Sequence, residues 1–165
     1  MLPDSVLDNT YLRSFQSKQK ITLRQFFENY KNTAVYLDFW YSGCRFCREA
    51  NKASAKNKPY FAEKNIAVVY FSVDLDESAW LQAAKDDGVT ENQYLLHYDS
   101  ANGHPFSSLP LTRYLKIFAY GVPRYILFNK KHEIEVLNMP KPTQEMFEDL
   151  KKIVEHYSEK ISSIK

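Results

Sequence analysis

The stretch DFWYSGCRFCREA, residues 38–50, holds both cysteines of the 165-residue chain, Cys44 and Cys47. It overlaps the end of AVYLDFW, residues 34–40, a short apolar and aromatic run that is typical of strands buried on both faces. After the first cysteine the apolar residues recur with helical spacing. The cysteine pair is therefore predicted to lie where a buried strand ends and a helix begins.

The remaining sequence alternates between apolar runs and helical patterns. Strands are predicted at residues 34–40, 66–74, 122–129 and 133–138, with a short edge strand at 92–98. Helices are predicted at residues 22–32, 45–64, 76–88, 111–118 and 143–160, the last capped by Thr143. The alternation favours parallel strands with crossover helices, and the turn before the last strand favours an antiparallel hairpin. The predicted class is α/β, with a mixed sheet and helices on both faces.

Length and composition favour a single globular domain over residues 1–165, with 44% hydrophobic and 25% charged residues. Residues 1–20 are polar without clear periodicity and are expected to form an N-terminal arm, and residues 99–108 are expected to form a loop. The net charge of +2 is spread along the chain, so no nucleic-acid partner is expected. No apolar run reaches the roughly 20 residues of a membrane span, so a membrane tether is expected only through a segment absent here.

The predicted start of a helix at the cysteine pair has a chemical use. A helix N-terminus offers unpaired N–H groups and a positive dipole end, and both stabilise a thiolate at Cys44. Arg45 and Arg48 add positive charge and are expected to lower the pKa of this thiol further. Because the thiolate is the nucleophile of disulfide exchange, the pattern favours a redox dithiol.

Other uses of the cysteine pair remain open. A structural zinc site needs four ligands, and the histidines available to complete one stand at spacings unlike those of zinc modules: His97, His104, His132 and His156. A purely structural disulfide would stabilise the fold little, because the loop that it closes is very short. A dithiol that binds a metal or a partner without catalysis is the third alternative.

Two motifs carry a resemblance to a known family. The segment DFWYSGCRFC, residues 38–47, resembles the active-site segment of thioredoxins, and GVPR, residues 121–124, resembles the cis-proline loop of the same fold. With an insertion at residues 89–118 and the ending NMPKP at 138–142, the stretch from about residue 35 to 157 is similar to the TlpA-like thiol-disulfide oxidoreductases of bacteria, within the thioredoxin superfamily. The resemblance implies a thioredoxin-like fold.

The resemblance also implies catalytic roles for individual residues. Cys44 corresponds to the exposed nucleophile and Cys47 to the buried thiol that resolves the mixed disulfide. Asp38 corresponds to a buried acid that accepts the proton of Cys47, with a pKa raised by burial. The bond between Val122 and Pro123 is expected to be cis, and the backbone of Val122 is expected to pair with an extended substrate segment.

Aromatic and charged residues around the cysteines are the candidate substrate contacts. These are Phe46, Arg45 and Trp40, although core packing is the commoner use of an aromatic residue that ends a buried strand. The chain departs from the family at three places. Gly43 stands where the family has Trp, Arg45 and Phe46 stand where it has a small dipeptide such as Gly-Pro, and Lys52 stands where it has a helix-kinking proline.

The expected activity is that of a protein disulfide reductase outside the cytoplasm, which acts on protein disulfides and receives electrons from an upstream thiol donor. No cofactor is expected beyond the Cys44–Cys47 disulfide, and no metal site is expected. A disulfide oxidase or isomerase is the alternative, since a positive charge at Arg45 would stabilise the reduced thiolate. A peroxidase of the same fold is less favoured, because Tyr41 stands where that class requires Thr or Ser.

Overall fold

The computed structural model describes residues 1–97 and 109–162. Its strands are β1 (Tyr11–Ser14), β2 (Lys20–Thr22), β3 (Ala34–Trp40), β4 (Ile66–Ser72), β5 (Gln93–Leu96), β6 (Arg124–Phe128) and β7 (Ile134–Val136). Its helices are α1 (Asp4–Asn9), α2 (Leu23–Asn29), α3 (Arg45–Glu63), α4 (Glu77–Asp86), α5 (Pro110–Tyr114), α6 (Ile117–Tyr120) and α7 (Phe147–Ser162). The strands form one sheet in the order β2-β1-β5-β4-β3-β6-β7.

Strand β3 lies inside the sheet, parallel to β4 and antiparallel to β6. All seven of its residues are buried, which explains why six of them are apolar or aromatic and why the run is continuous rather than alternating. Strands β3, β4 and β5 run parallel, whereas β6 and β7 form an antiparallel hairpin with a register shift at Leu127/Phe128. The predicted mixed sheet is confirmed.

Apolar clusters cover both faces of the sheet. One cluster contains side chains of α1, α2, α5 and α6, among them Leu7, Phe26, Phe27, Leu111 and Ile117. The other contains side chains of α3, α4 and α7, among them Ala50, Phe61, Trp80, Leu150 and Val154. The prediction of helices on both faces is therefore confirmed, and both cysteines lie in the second cluster.

Residues 1–20 do not form the arm that their polar composition predicts. They contain α1 and β1, and β1 pairs antiparallel with both β2 and β5. The buried Leu12 of β1 lies opposite Leu96 of β5. Strand β5 is consequently an interior strand and not the edge strand predicted for residues 92–98.

Two predicted helices have different bounds in the structure. The pattern at residues 111–118 corresponds to two short helices, α5 and α6, separated by Lys116 in the left-handed conformation. The last helix begins at Phe147, because the turn before it is closed by a hydrogen bond from the backbone of Met146 to that of Thr143.

The loop predicted for residues 99–108 lies outside the described residues. No helix in the described parts of the chain is long and apolar enough to cross a membrane.

The packing of β1 gives a test of the N-terminal correction. Leu12→Ala is expected to lower the free energy of unfolding by about 2–5 kcal/mol, because it opens a cavity in the core. Leu75→Ala, at an exposed leucine, is the matched control and should change it by less than about 0.5 kcal/mol. Urea denaturation measures both, and equal small effects would mean that residues 1–20 pack loosely.

Candidate active site

The two cysteines form a disulfide at the start of α3. Cys44 is the N-cap residue of this helix, and its Sγ accepts a hydrogen bond from the backbone N–H of Cys47 at 3.2 Å. Cys44 is 8% exposed and Cys47 is fully buried. A partner thiol or disulfide can therefore reach only Cys44, and the helix N-terminus stabilises a thiolate at that atom once the pair is reduced.

Asp74 fixes the loop that leads from β3 to the disulfide. The backbone N–H of Ser42 donates to both carboxylate oxygens of Asp74, at 3.1 and 2.9 Å, and the Ser42 hydroxyl donates to one of them. The hydroxyl of Ser72 donates to the other oxygen at 2.7 Å. Sequence analysis missed this residue, although an acidic residue at the end of the neighbouring parallel strand was the available signal.

Both arginines beside Cys44 are paired with carboxylates. Arg45 is exposed and its Nε donates to Glu49 at 3.0 Å, four residues along the helix. Arg48 pairs with the buried carboxylate of Asp87 and also reaches the backbone oxygen of Ser42. These carboxylates offset much of the positive charge that the sequence placed near the thiol. The helix N-terminus remains as the main feature that stabilises a thiolate at Cys44.

Asp38 lies fully buried in the middle of the sheet. Neither of its carboxylate oxygens has a hydrogen-bond partner among the described residues, and burial raises its pKa well above the ordinary value. It is flanked across the sheet by Tyr70 and Tyr125, and it shares its face of β3 with Tyr36 and Trp40, each two residues away. These four aromatic residues belong to the cluster that contains the disulfide, so Asp38 faces the same side of the sheet.

The segment before β6 forms a second wall of the site. The peptide bond between Val122 and Pro123 is cis. The side chain of Val122 packs against the apolar clusters on both sides of the sheet. Its backbone forms no hydrogen bond with any residue of 1–97 or 109–162, so its N–H and C=O groups are available to another chain.

The predicted substrate contacts differ in their exposure. Phe46 is 63% exposed, and the Nζ of Lys141 lies 5.4 Å from the centre of its ring. Arg45 is also at the surface. The assignment of Trp40 as a substrate contact is wrong: it is fully buried, and its indole N–H donates to Gln93 at 3.3 Å. Trp40 is a core residue, because β3 carries it into the interior.

The sheet order, the disulfide at the start of α3 and the cis proline before β6 together define a thioredoxin-like fold with a redox-capable dithiol. Solved structures with the same fold support this class. A thiol-disulfide oxidoreductase from Bacteroides fragilis is 25% identical, with a TM-score of 0.59 over 85% of this chain and 95% of that one. The predicted fold is confirmed.

Two further structures are similar over most of their length. The thioredoxin domain of a thiol-disulfide oxidoreductase from Bacteroides vulgatus is 21% identical, with a TM-score of 0.63 over 93% of this chain and 99% of that one. A thiol:disulfide interchange protein from a Bacteroides species is 20% identical, with a TM-score of 0.63 over 90% and 88%. At these identities the similarity shows the fold alone. No protein-family model and no curated protein matches the chain.

Within the described residues, no group of three or more His, Cys, Asp and Glu side chains is arranged so that it could hold a metal ion.

The raised pKa of Asp38 predicts a pH-dependent stability. Between the ordinary carboxyl pKa and the raised pKa of Asp38, the native state binds more protons than the unfolded state. The contribution of protonated Asp38 to the free energy of unfolding is therefore complete below about pH 4 and is lost as the pH rises. The Asp38→Asn variant has no titratable group at this position. Its free energy of unfolding, relative to that of the wild type, should therefore increase between pH 4 and pH 8. Urea denaturation of the oxidised proteins measures this gain.

The control for this experiment is Asp149→Asn, which removes an exposed carboxylate that pairs with Lys152 on α7. No comparable gain is expected for it, since exposed ion pairs contribute little to stability. A constant difference between Asp38→Asn and the wild type across this pH range would contradict a raised pKa at Asp38.

Proposed function

We propose that this chain is a thiol-disulfide oxidoreductase and, more narrowly, a TlpA-like protein disulfide reductase that works outside the cytoplasm. The observation that carries the proposal is the Cys44–Cys47 disulfide at the N-terminus of α3, with only Cys44 reachable from solvent. The similar structures from Bacteroides, which are thiol-disulfide oxidoreductases, support the same chemistry. The family resemblance of the two motifs supports the extracytoplasmic location.

The first step is the attack of Cys44 on a substrate disulfide. The Cys44 thiolate forms a bond to one substrate sulfur, the substrate S–S bond breaks, and the other substrate sulfur leaves as a thiolate. The N–H of Cys47, which donates to Cys44 Sγ in the oxidised structure, stabilises the thiolate before the attack. The product is a mixed disulfide between Cys44 and the substrate.

The second step is the attack of Cys47 on the mixed disulfide. Asp38 accepts the proton of Cys47 as general base, because burial raises the pKa of this carboxyl and with it the affinity of the carboxylate for a proton. The Cys47 thiolate attacks Cys44 Sγ and releases the second substrate thiolate. Two electrons have then passed to the substrate, and the chain is left with the disulfide seen in the structure.

The disulfide must be reduced again before the next cycle. An upstream thiol donor supplies two electrons by the same exchange in reverse, and the Cys44–Cys47 pair itself is the electron carrier. Protein segments that carry a disulfide are the substrates. Such a segment lies along the free backbone groups of Val122 at the Pro123 loop and contacts the exposed side chains of Phe46 and Arg45.

The arginine pairing favours the reductase over the alternative oxidase or isomerase. A positive charge beside Cys44 stabilises the reduced thiolate and so makes a disulfide more oxidising. Glu49 forms an ion pair with Arg45, and Asp87 forms one with Arg48. These pairs weaken the main argument from the sequence for an oxidase, which is the positive charge of Arg45 beside Cys44.

A redox titration of the Cys44–Cys47 pair in thiol buffers tests the direction of electron flow. We expect a midpoint nearer to that of thioredoxin, about −270 mV, than to that of a strong oxidant, about −120 mV. A midpoint near the second value would reject the reductase and favour the alternative.

Cysteine variants test the mechanism directly. Cys47→Ser is expected to form a mixed disulfide with a peptide substrate that persists, because no second thiol can resolve it. The matched variant Cys44→Ser should form none, since its remaining thiol is buried. Both should lose turnover in an insulin reduction assay, and non-reducing mass spectrometry detects the trapped species. Trapping by Cys44→Ser instead would reverse the assigned roles.

A further inference from the structure

A cavity of about 240 Å³ opens beside the cis-proline loop. Its walls come from the segment that leads into β6 and from the segment that follows β7, and they include Tyr120, Pro123, Arg124, Met139 and Lys141. Met139 belongs to the apolar cluster that contains both cysteines. The cavity therefore lies next to the cis-proline loop, where the proposed function places the substrate.

Arg124 is the unusual side chain of this cavity. The residue is only 5% exposed, and its Nε and Nη1 atoms have no hydrogen-bond partner in the part of the chain that the structure describes. The ring of Tyr120 lies 4.6 Å from its guanidinium carbon and is the one aromatic ring that stabilises its charge among the described residues. Buried N–H groups of a guanidinium that lack hydrogen bonds are costly, so this position is suited to an anion that accepts from them.

Lys141 brings a second positive charge to the cavity and connects it with the disulfide. Its Nζ lies over the ring of Phe46, the residue between the two cysteines. Within residues 1–97 and 109–162, neither Arg124 nor Lys141 has a carboxylate within 4 Å. Arg45 and Arg48, by contrast, both have carboxylate partners. Among the described residues that line the cavity, two carry a positive charge and none a negative one.

We propose that this cavity is a substrate subsite that binds the carboxylate of an Asp or Glu side chain one or two residues from the reacting cysteine of a peptide. The inference rests on the proposed function, because the peptide is held at Val122 while Cys44 attacks it. Residues two apart in an extended chain point to the same side and lie about 7 Å apart, so such a side chain reaches a neighbouring cavity. The planar guanidinium of Arg124 offers paired donors that match a carboxylate.

The test uses short peptides with one cysteine, prepared as symmetric disulfides. Each series varies one position, which lies one or two residues before or after the cysteine, and places Glu, Gln or Lys there. The peptide ends are acetylated and amidated to remove the terminal charges. Reduced wild-type protein is mixed with each peptide, the reaction is quenched with acid, and mass spectrometry gives the second-order rate constant. The same peptides react with dithiothreitol, which corrects for their intrinsic reactivity.

At the best position we expect the Glu peptide to react about tenfold faster than the Gln peptide, the factor for one charge-assisted hydrogen bond. Arg124→Met and Lys141→Gln should reduce this preference to less than about threefold. Lys56→Gln, which removes an exposed lysine on α3 about three turns from Cys44, is the control and should retain it. Peptides with a free C-terminal carboxylate and no Glu show whether a chain end competes for the cavity, and a preference for them over Glu would overturn the side-chain assignment.

The outcomes separate the two proposals. Equal corrected rates for Glu, Gln and Lys peptides, or a Glu preference unchanged in Arg124→Met and Lys141→Gln, would overturn the subsite and leave the reductase intact. No reaction with any peptide by the folded, reduced protein would overturn the proposed function and the subsite with it. If Arg124→Met does not fold, Lys141→Gln and the salt dependence of the wild-type preference decide, since about 1 M salt should weaken a charge-based preference.

Discussion

The burial of β3 between β4 and β6 is the constraint on which the rest of the site depends. Every residue of the strand is covered by the clusters on the two faces of the sheet, so the strand has a fixed register and a fixed end. The end of the strand and the hydrogen bonds from Ser42 to Asp74 together place Cys44 at the start of α3. The same burial keeps Asp38 away from water and raises its pKa. One packing arrangement thus sets both the position of the nucleophile and the acidity of the proposed base.

The distribution of charge around the disulfide separates two kinds of basic residue. Arg45 and Arg48 lie close to Cys44 in sequence, but carboxylates on their own or neighbouring helices occupy their guanidinium groups. Arg124 is distant in sequence and has no carboxylate partner among residues 1–97 and 109–162. Uncompensated positive charge therefore lies at the wall where a substrate would pass and not at the reactive sulfur. Substrate choice and thiol acidity can then be tuned by different residues.

Sequence patterns located the elements that are long or strongly apolar, such as β3, β4, α3 and α4, because burial and caps leave a local signature. They missed β1, whose four residues pair with the nearby β2 and with β5, far along the chain. The same limit applies to the site. The cysteines and the burial of Asp38 followed from local sequence, whereas the ion pairs of Arg48 and the loop anchor Asp74 depend on neighbouring elements. Trp40 was named as a candidate substrate contact beside the commoner core role, because its exposure depends on how the strand end is covered.

The position of β1 and β2 has a consequence for the behaviour of the sheet toward other chains. With the N-terminal hairpin in place, the two outermost strands are β2 and β7, each three residues long and each carrying a charged residue, Lys20 or Glu135. Short charged edges are poor templates for intermolecular strand pairing and for aggregation. Under the proposed function, the substrates are protein segments with exposed backbone groups. The short, charged margins of the sheet offer such segments little to pair with, which leaves the loop at Val122 as their proposed binding place.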